Sequence, residues 1–237
     1  MLSVWGYCIK IKCGANLAEA HAIQFVARHT SIPVPKIYSA FVSQDITYIV
    51  MTKIEGQMAW LDWPKRSEAS RDRVLNQLCG MVSQLRSIPP PDGTGVCNVD
   101  GGPIRDCRLP AKLLWGPFAT VRDFHKELAN GADLETSYTT DPPDFNELLD
   151  FYRGASDEVA FTHGDLNSMN VLVRGDDVVG IIDWETAGWL PSYWEYTSAW
   201  FVNPYNTSWE QEVDKFITPM PHELKMEQIR QKYFPGF

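Results

Sequence analysis

Polar and apolar side chains alternate along residues 7–12, and this two-residue period is typical of a half-buried β-strand. Lys10 and Lys12 lie on the same face of that strand. Gly14 ends the strand, Asn16 is suited to cap a helix, and apolar residues then recur at helical spacing to about Thr30. Two short apolar runs follow at 37–42 and 47–51. The beginning of the chain therefore predicts the order β-α-β-β.

The later pattern is mainly helical, with a group of short strands after residue 158. A long helix is predicted to bury one face, formed by Val74, Leu75, Leu78, Val82 and Leu85. Proline and glycine are too dense in 88–102 for regular structure, and helices are predicted at 118–128 and 144–152. Strands are predicted at 159–162, 171–174 and 178–182, of which the last two form a hairpin. Helices at 209–217 and 222–233 complete the prediction.

Composition and charge mainly exclude classes of protein. The chain of 237 residues is 44% hydrophobic and 22% charged, which indicates a globular protein. A formal net charge of -9 argues against nucleic acid as a partner. The odd number of cysteines and the lack of a CxxC pair disfavour a disulfide framework and a zinc site, and predict reduced thiols at Cys8, Cys13, Cys79, Cys97 and Cys107. No long apolar run and no basic leader occur, so we expect no membrane association and a cytoplasmic location.

The densest chemical signal lies around the predicted hairpin. Asp165 and Asn170 share one loop between two strands, and Asp183 ends the following hairpin strand, so the three side chains are able to converge. Two oxygen-bearing side chains suit a hard cation such as Mg²⁺, and the one extra carboxylate among the three residues is then able to orient a nucleophile. The alternative is that these residues only form Asx turns and end a strand.

Two strings carry a resemblance to a known family. His-Gly-Asp-Leu-Asn-Ser-Met-Asn at 163–170 and Ile-Ile-Asp-Trp-Glu-Thr-Ala-Gly at 181–188 resemble the catalytic core of the aminoglycoside phosphotransferase and choline kinase-like family, and are closest to its fungal phosphotransferase enzyme family members. The resemblance extends over nearly the whole chain from Tyr7. It implies an α+β, two-lobed protein kinase-like fold, with a shortened N-terminal β lobe at 1–56 and a mainly helical C-terminal lobe at 57–237 that holds the catalytic loop and the acceptor site.

The resemblance also implies roles for individual residues. Asp165 would be the catalytic base, and His163 would brace the catalytic loop. Asn170 and Asp183 would hold Mg²⁺ against the phosphates of ATP. In such proteins a strand lysine, held by a helix carboxylate, contacts the phosphates. Glu19 is the implied carboxylate, and both Lys10 and Lys12 are candidates, with Lys10 favoured. The backbone of the hinge would read the adenine edge at Thr52, Lys53 and Ile54.

The sequence departs from the family before the lysine strand. Relatives carry two strands and a phosphate-covering loop there, whereas nine residues precede Lys10. We therefore expect this strand pair to be absent and the lysine strand to expose an edge. A truncated gene model is the favoured interpretation, and a weakly active variant and an inactive relative are the alternatives.

Two functions are the main alternatives, one implied by the resemblance and one by the missing phosphate-covering loop, whereas metal-dependent hydrolysis is disfavoured because a hydrolase has no need of the lysine and Glu19. The first is an ATP-dependent, Mg²⁺-requiring phosphotransferase acting on a hydroxyl of a small molecule. The second is a non-catalytic, pseudokinase-like binding module. Glu185 and Glu195 could favour a cationic acceptor, or could have a structural role beside Trp184 and Trp194. The oligomeric state is not indicated.

Overall fold

The computed structural model describes residues 2–4, 6–106, 109, 114–135, 142–201 and 207–234. Its first part is a four-stranded antiparallel sheet of the order β1-β2-β4-β3. The strands are β1 (Leu2–Val4), β2 (Tyr7–Cys13), β3 (Ile37–Ser43) and β4 (Ile46–Thr52), and helix α1 (Ala18–His29) lies between β2 and β3 in sequence. The predicted β-α-β-β order is confirmed.

The register of β2 against β4 decides which side chains face the interior. Lys10 is paired with Ile49 and Lys12 with Thr47, and both partners are buried. Because paired residues of antiparallel strands share a face, both lysines lie on the interior face of the sheet. Helix α1 begins two residues after Asn16, whose side-chain oxygen accepts the N–H of Ala18 at 2.8 Å.

One short strand, β1, precedes the lysine strand in place of the strand pair that relatives carry. β1 pairs antiparallel with β2 from Val4 and Tyr7 to Leu2 and Ile9. Gly6 adopts a φ of +82°, a conformation that glycine adopts readily and that permits a tight reversal of the chain. A tight hairpin thus fits into few residues, and it covers the first part of the β2 edge.

A connector follows, and then the longest helix. The connector holds β5 (Gln57–Met58) and two 3₁₀ turns, Ala59–Leu61 and Trp63–Lys65. Helix α2 (Glu68–Arg86) begins where the Ser67 side chain accepts the N–H of Ser70. Its buried face contains the predicted residues 74, 75, 78, 82 and 85. The region predicted as a loop at 88–102 contains one short strand, β6 (Cys97–Asn98).

Two small sheets place the chemically active loops side by side. β7 (Val159–Thr162), β10 (Gly188–Pro191) and β6 form one sheet, and β5, β8 (Val171–Arg174) and β9 (Asp177–Ile181) form the other. The predicted hairpin of β8 and β9 is confirmed. A 3₁₀ turn, Trp184–Thr186, joins the hairpin to β10.

The remaining helices surround these sheets. They are α3 (Val121–Leu128), α4 (Pro143–Gly154), α5 (Trp194–Phe201), α6 (Thr207–Glu210) and α7 (Pro221–Tyr233). Helix α3 begins later than predicted, because Phe118 pairs with Val96 and the Thr120 side chain caps the helix. The predicted helix at 209–217 is wrong. Residues there form the end of α6 and a 3₁₀ turn, Val213–Lys215, because burial of Trp209 against Trp63 and Phe216 favours tight turns over a continuous helix.

The structure also bears on membrane-spanning helices and on the state of the cysteines. Within the described ranges, no helix is both long and apolar enough to cross a lipid bilayer. Cys8, Cys13, Cys79 and Cys97 are free thiols, and Cys107 lies outside the described residues.

Candidate active site

The loop between β7 and β8 holds the Asp165 carboxylate between two amides. Asn167 Nδ2 donates to Asp165 Oδ1 at 3.0 Å, and Asn170 Nδ2 donates to Asp165 Oδ2 at 2.8 Å. Asn167 also accepts the backbone N–H of Met169, which ties the amide to the loop itself. Asn167 and Asn170 are buried, whereas Asp165 is partly exposed. The loop therefore fixes the direction of a carboxylate that solvent or a substrate is able to reach.

His163 braces this loop from within. Its Nδ1 accepts the backbone N–H of Asp165 at 3.1 Å, so Nε2 carries the proton and donates to the Ile182 carbonyl at 3.0 Å. The ring is fully buried against Trp184. Both ring nitrogens are thus engaged with backbone atoms, one in the loop between β7 and β8 and one in the segment after β9.

Asp183 stands beside the same loop in an uncommon conformation. Its φ of +63° lies in the left-handed region, which aspartate tolerates better than most residues but still at some cost. The preceding residue, Ile182, donates its N–H to the Asn170 carbonyl at 3.0 Å. This backbone hydrogen bond places Asp183 next in sequence to the backbone partner of Asn170.

Lys10 joins Asp183 to Glu19. The Lys10 ammonium lies 2.7 Å from Glu19 Oε1 and 2.7 Å from Asp183 Oδ1. Burial opposes the charged form of Asp183, but the charge and hydrogen bond of Lys10 outweigh it and lower the pKa of the Asp183 carboxyl. Burial likewise opposes the charge on Lys10, yet Glu19 and Asp183 raise the pKa of its ammonium. The pair is therefore stably ionised.

Lys12 occupies the other oxygen of the same helix carboxylate. Its ammonium lies 3.0 Å from Glu19 Oε2 and 2.7 Å from Glu185 Oε2. Lys10 and Asp183 line one cavity, and Lys12 is not among the described residues that line it. This arrangement favours Lys10 as the residue facing a ligand, while both lysines contact Glu19.

A cavity of about 450 Å³ opens between the first sheet and the β8–β9 hairpin. Its polar end contains Lys10, Glu19 and Asp183, and the hinge residues Thr52, Lys53 and Ile54 line it as well. Most of its wall is apolar, and this part includes side chains that sequence analysis did not identify, namely Met58, Leu61 and Leu172. A mainly apolar cavity that ends in a lysine and carboxylates fits an adenine nucleotide.

A slightly larger hollow of about 520 Å³ lies elsewhere, between α4, α7 and the β7 end at Glu158. The catalytic loop leaves β7 at its opposite end, after Thr162. The hollow is lined by neither Lys10 nor Asp183, whereas both residues line the smaller cavity, which is therefore the better candidate for the site.

Two further glutamates have structural partners. Glu195 is 1% exposed and accepts the backbone N–H groups of His163 at 2.6 Å and Gly164 at 3.1 Å. Of the two alternatives left open for Glu195, the structure favours the structural role over contact with a cationic acceptor, because its carboxylate is buried against the loop between β7 and β8. Glu185 contacts Lys12 and also Arg105, at 2.5 Å from Arg105 Nε to Glu185 Oε1. No local pattern pointed to Arg105.

Comparisons with known proteins agree with this geometry. A sequence model of the phosphotransferase enzyme family matches residues 15–224. An aminoglycoside 3'-phosphotransferase of Niallia circulans is 23% identical over 168 residues, which cover 71% of this chain and 58% of that protein. This chain thus spans less than two thirds of the length of that relative.

Solved structures show the same fold. The crystal structure of aminoglycoside phosphotransferase APH(4)-Ia matches with a TM-score of 0.65 and 18% identity, over 94% of this chain and 75% of that chain. The ternary complex of APH(2'')-IIa with streptomycin and ATP matches with a TM-score of 0.53 and 15% identity, over 90% and 69%. The predicted α+β fold of the protein kinase-like type is confirmed.

Proposed function

Because the chain belongs to the phosphotransferase enzyme family, we propose that it transfers the γ-phosphate of ATP to a hydroxyl of a small molecule. The observation that carries the proposal is the placement of Lys10, Glu19 and Asp183 at the polar end of one cavity. Residues 1–56 would form the nucleotide-binding lobe, and residues 57–237 would supply the catalytic loop and the acceptor site.

The nucleotide would occupy the cavity with its base against the apolar wall. The hinge residues Thr52, Lys53 and Ile54 would border the adenine, and Lys10 would contact the phosphates while Glu19 holds its ammonium. Lys10 is paired with Asp183 in this structure. On nucleotide binding, a phosphate would therefore replace Asp183 as an anionic partner of Lys10.

Asn170 and Asp183 are the proposed ligands of Mg²⁺. Asn170 donates its amide nitrogen to Asp165, which directs its amide oxygen away from that carboxylate, and Asp183 contributes a carboxylate oxygen. Oxygen donors of this kind fit a hard cation, which when bound neutralises phosphate charge.

Asp165 would act as the base on the acceptor. Its carboxylate is held by Asn167 and Asn170 and remains partly exposed, so a substrate hydroxyl is able to donate to it. Orientation of that hydroxyl toward the γ-phosphate, with partial removal of its proton, lowers the barrier mainly through positioning.

Aminoglycosides are the acceptors to examine first. The relatives compared above are aminoglycoside phosphotransferases, and one of them was solved with streptomycin and ATP. Such compounds carry many hydroxyls and positive charges, and the net charge of -9 on this chain favours cationic ligands. The fold alone does not select among hydroxyl acceptors, so other hydroxylated amines belong in the same panel.

The experiment measures ADP formation with Mg-ATP and this panel, and identifies the product by mass spectrometry. We expect phosphorylated product from the wild-type chain and a roughly hundredfold or greater fall in kcat for Asp165→Asn. Asp92→Asn, in the exposed proline-rich loop, is the matched control and should retain wild-type kcat. An Asp165→Asn variant that turns over at the wild-type rate would remove the assignment. Nucleotide binding without transfer to any acceptor would instead support a binding module.

A further inference from the structure

The two lysines on β2 belong to a longer series of ion pairs. Three cations and three carboxylates alternate in the order Arg105, Glu185, Lys12, Glu19, Lys10, Asp183. Each neighbouring pair is separated by 3.0 Å or less. The Lys10 end of this series lies in the proposed nucleotide cavity, and the Arg105 end lies outside it.

Glu185 connects the two proposed lobes in this series. It lies in the 3₁₀ turn Trp184–Thr186, two residues after Asp183, and α1 packs against that turn. Lys12 belongs to β2 in the first sheet. The pair of Lys12 and Glu185 therefore crosses between the proposed lobes, and Lys12 shares Glu19 with Lys10.

Electrostatics explains why the order alternates. Carboxylate oxygens of Glu19, Asp183 and Glu185 lie within 4.8 Å of one another, so the three negative charges repel unless cations separate them. Glu19 is almost completely buried, and the exposed fraction of each lysine side chain is 14%, so solvent and salt screen these charges only in part. Lys10 and Lys12 share Glu19 because each takes one of its oxygens.

Glu185 competes with Glu19 for the Lys12 ammonium. With Glu185 present, the Lys12 ammonium is divided between two carboxylates. Without Glu185, Glu19 would be the remaining carboxylate among the ion-pair partners described for Lys12. The Glu19 carboxylate would then interact more strongly with Lys12 and less strongly with Lys10. Lys10 would then lose the partner that positions it for phosphate.

We infer that Glu185, held by Arg105, is a positioning residue that keeps Glu19 directed at Lys10 by engaging Lys12. This inference rests on the proposed function. It also replaces the idea that Glu185 binds a cationic acceptor, since its Oε1 faces Arg105 and its Oε2 lies 2.7 Å from Lys12 and 3.7 Å from Lys10.

The test is a steady-state analysis of Glu185→Gln with separate KM values for ATP and for the acceptor, together with the Mg-ATP Kd from calorimetry. We expect the KM and Kd for ATP to rise about tenfold and the acceptor KM to stay within twofold of wild type. Arg105→Met should raise the ATP KM in the same direction, and Arg105→Lys should restore it in part. Arg105 is partly exposed, so we expect its variants to fold even where Glu185→Gln does not.

A double-mutant cycle separates positioning from a general structural role. Glu185 Oε2 lies 2.7 Å from Lys12 Nζ and 3.7 Å from Lys10 Nζ, so Lys12 is its nearer partner, and Glu185→Gln should raise the ATP KM clearly less in a Lys12→Met background than in the wild type. Glu147→Gln removes an exposed ion pair with Lys225 and is the matched control, with unchanged ATP KM.

The possible outcomes point to different conclusions. A raised acceptor KM with an unchanged ATP KM in Glu185→Gln would overturn the inference and support acceptor binding. An equal rise in the ATP KM on Glu185→Gln in the wild-type and Lys12→Met backgrounds would also overturn the inference. A folded wild-type chain that binds no Mg-ATP would instead overturn the proposed function, and the inference with it.

Discussion

The Glu195 carboxylate accepts a hydrogen bond of 2.6 Å from the backbone N–H of His163. The same carboxylate accepts the N–H of Gly164, which adopts a φ of +79°. A buried side chain on α5 thus satisfies two backbone donors at the start of the catalytic loop, two residues before Asp165. The direction of the Asp165 carboxylate depends on this support as well as on its own neighbours.

Glu195→Ala is expected to destabilise the protein by about 2–4 kcal/mol, because two buried N–H groups lose their acceptor. Glu195→Gln should lose less, since the amide oxygen still accepts one hydrogen bond. Urea unfolding followed by circular dichroism measures both values. An alanine variant within about 0.5 kcal/mol of wild type would show that the carboxylate does not support the loop.

The surroundings of Gly188 and Gly80 predict opposite effects of a glycine-to-alanine substitution on the free energy of unfolding. A Cβ on Gly188 would lie 2.4 Å from the Cys97 carbonyl oxygen, so Gly188→Ala should lose about 1–3 kcal/mol. Gly80 is an exposed residue in α2 with open space around it, and Gly80→Ala should gain about 1 kcal/mol through helix propensity. If the urea midpoints of both variants shifted in the same direction relative to wild type, the packing of β10 against β6 would be contradicted.

The burial of His125 predicts that the folded protein loses stability in acid. Its ring is fully buried, stacks on Tyr152 and lies 2.7 Å from the Tyr193 hydroxyl, and burial lowers the pKa of the imidazole from 6.5 to about 3. Between pH 7 and pH 5 the unfolded chain takes up a proton at this residue that the folded chain does not. Stability should therefore fall by about 2 kcal/mol over that range on account of His125.

The matched variant for this prediction is His125→Gln, which retains a polar partner for Tyr193 and does not titrate. The wild type should lose about 2 kcal/mol more than the variant between pH 7 and pH 5, measured by urea unfolding at each pH. Parallel curves for the two proteins would show that His125 does not cause the acid sensitivity.

Sequence analysis succeeded where the information is local. The alternation in β2, the spacing of Asp165 and Asn170 within one loop, and the β8–β9 hairpin each depend on nearby residues, and the structure confirms these elements and this contact. Lys10 and Glu19 are nine residues apart, and their contact follows once β2 and α1 pack together.

The features that were missed depend on distant parts of the chain. Glu195 reaches His163 across 32 residues, and Met58 and Leu172 meet in the cavity wall through the pairing of β5 with β8. No short pattern marks either contact. Apolar residues at 209, 213 and 217 have helical spacing, but their burial arises from packing among separate turns. The period of a short apolar pattern does not distinguish these cases.

Titration of the 237-residue chain with Mg-ATP in a calorimeter tests the central claim most directly. We expect saturable binding by the wild type, and a loss of at least tenfold in affinity for Asp183→Ala, whose carboxylate lines the cavity beside Lys10. Circular dichroism of the same samples establishes that both proteins are folded. Absence of binding by the folded wild type, or equal binding by the two proteins, would contradict the assignment of this cavity to the nucleotide.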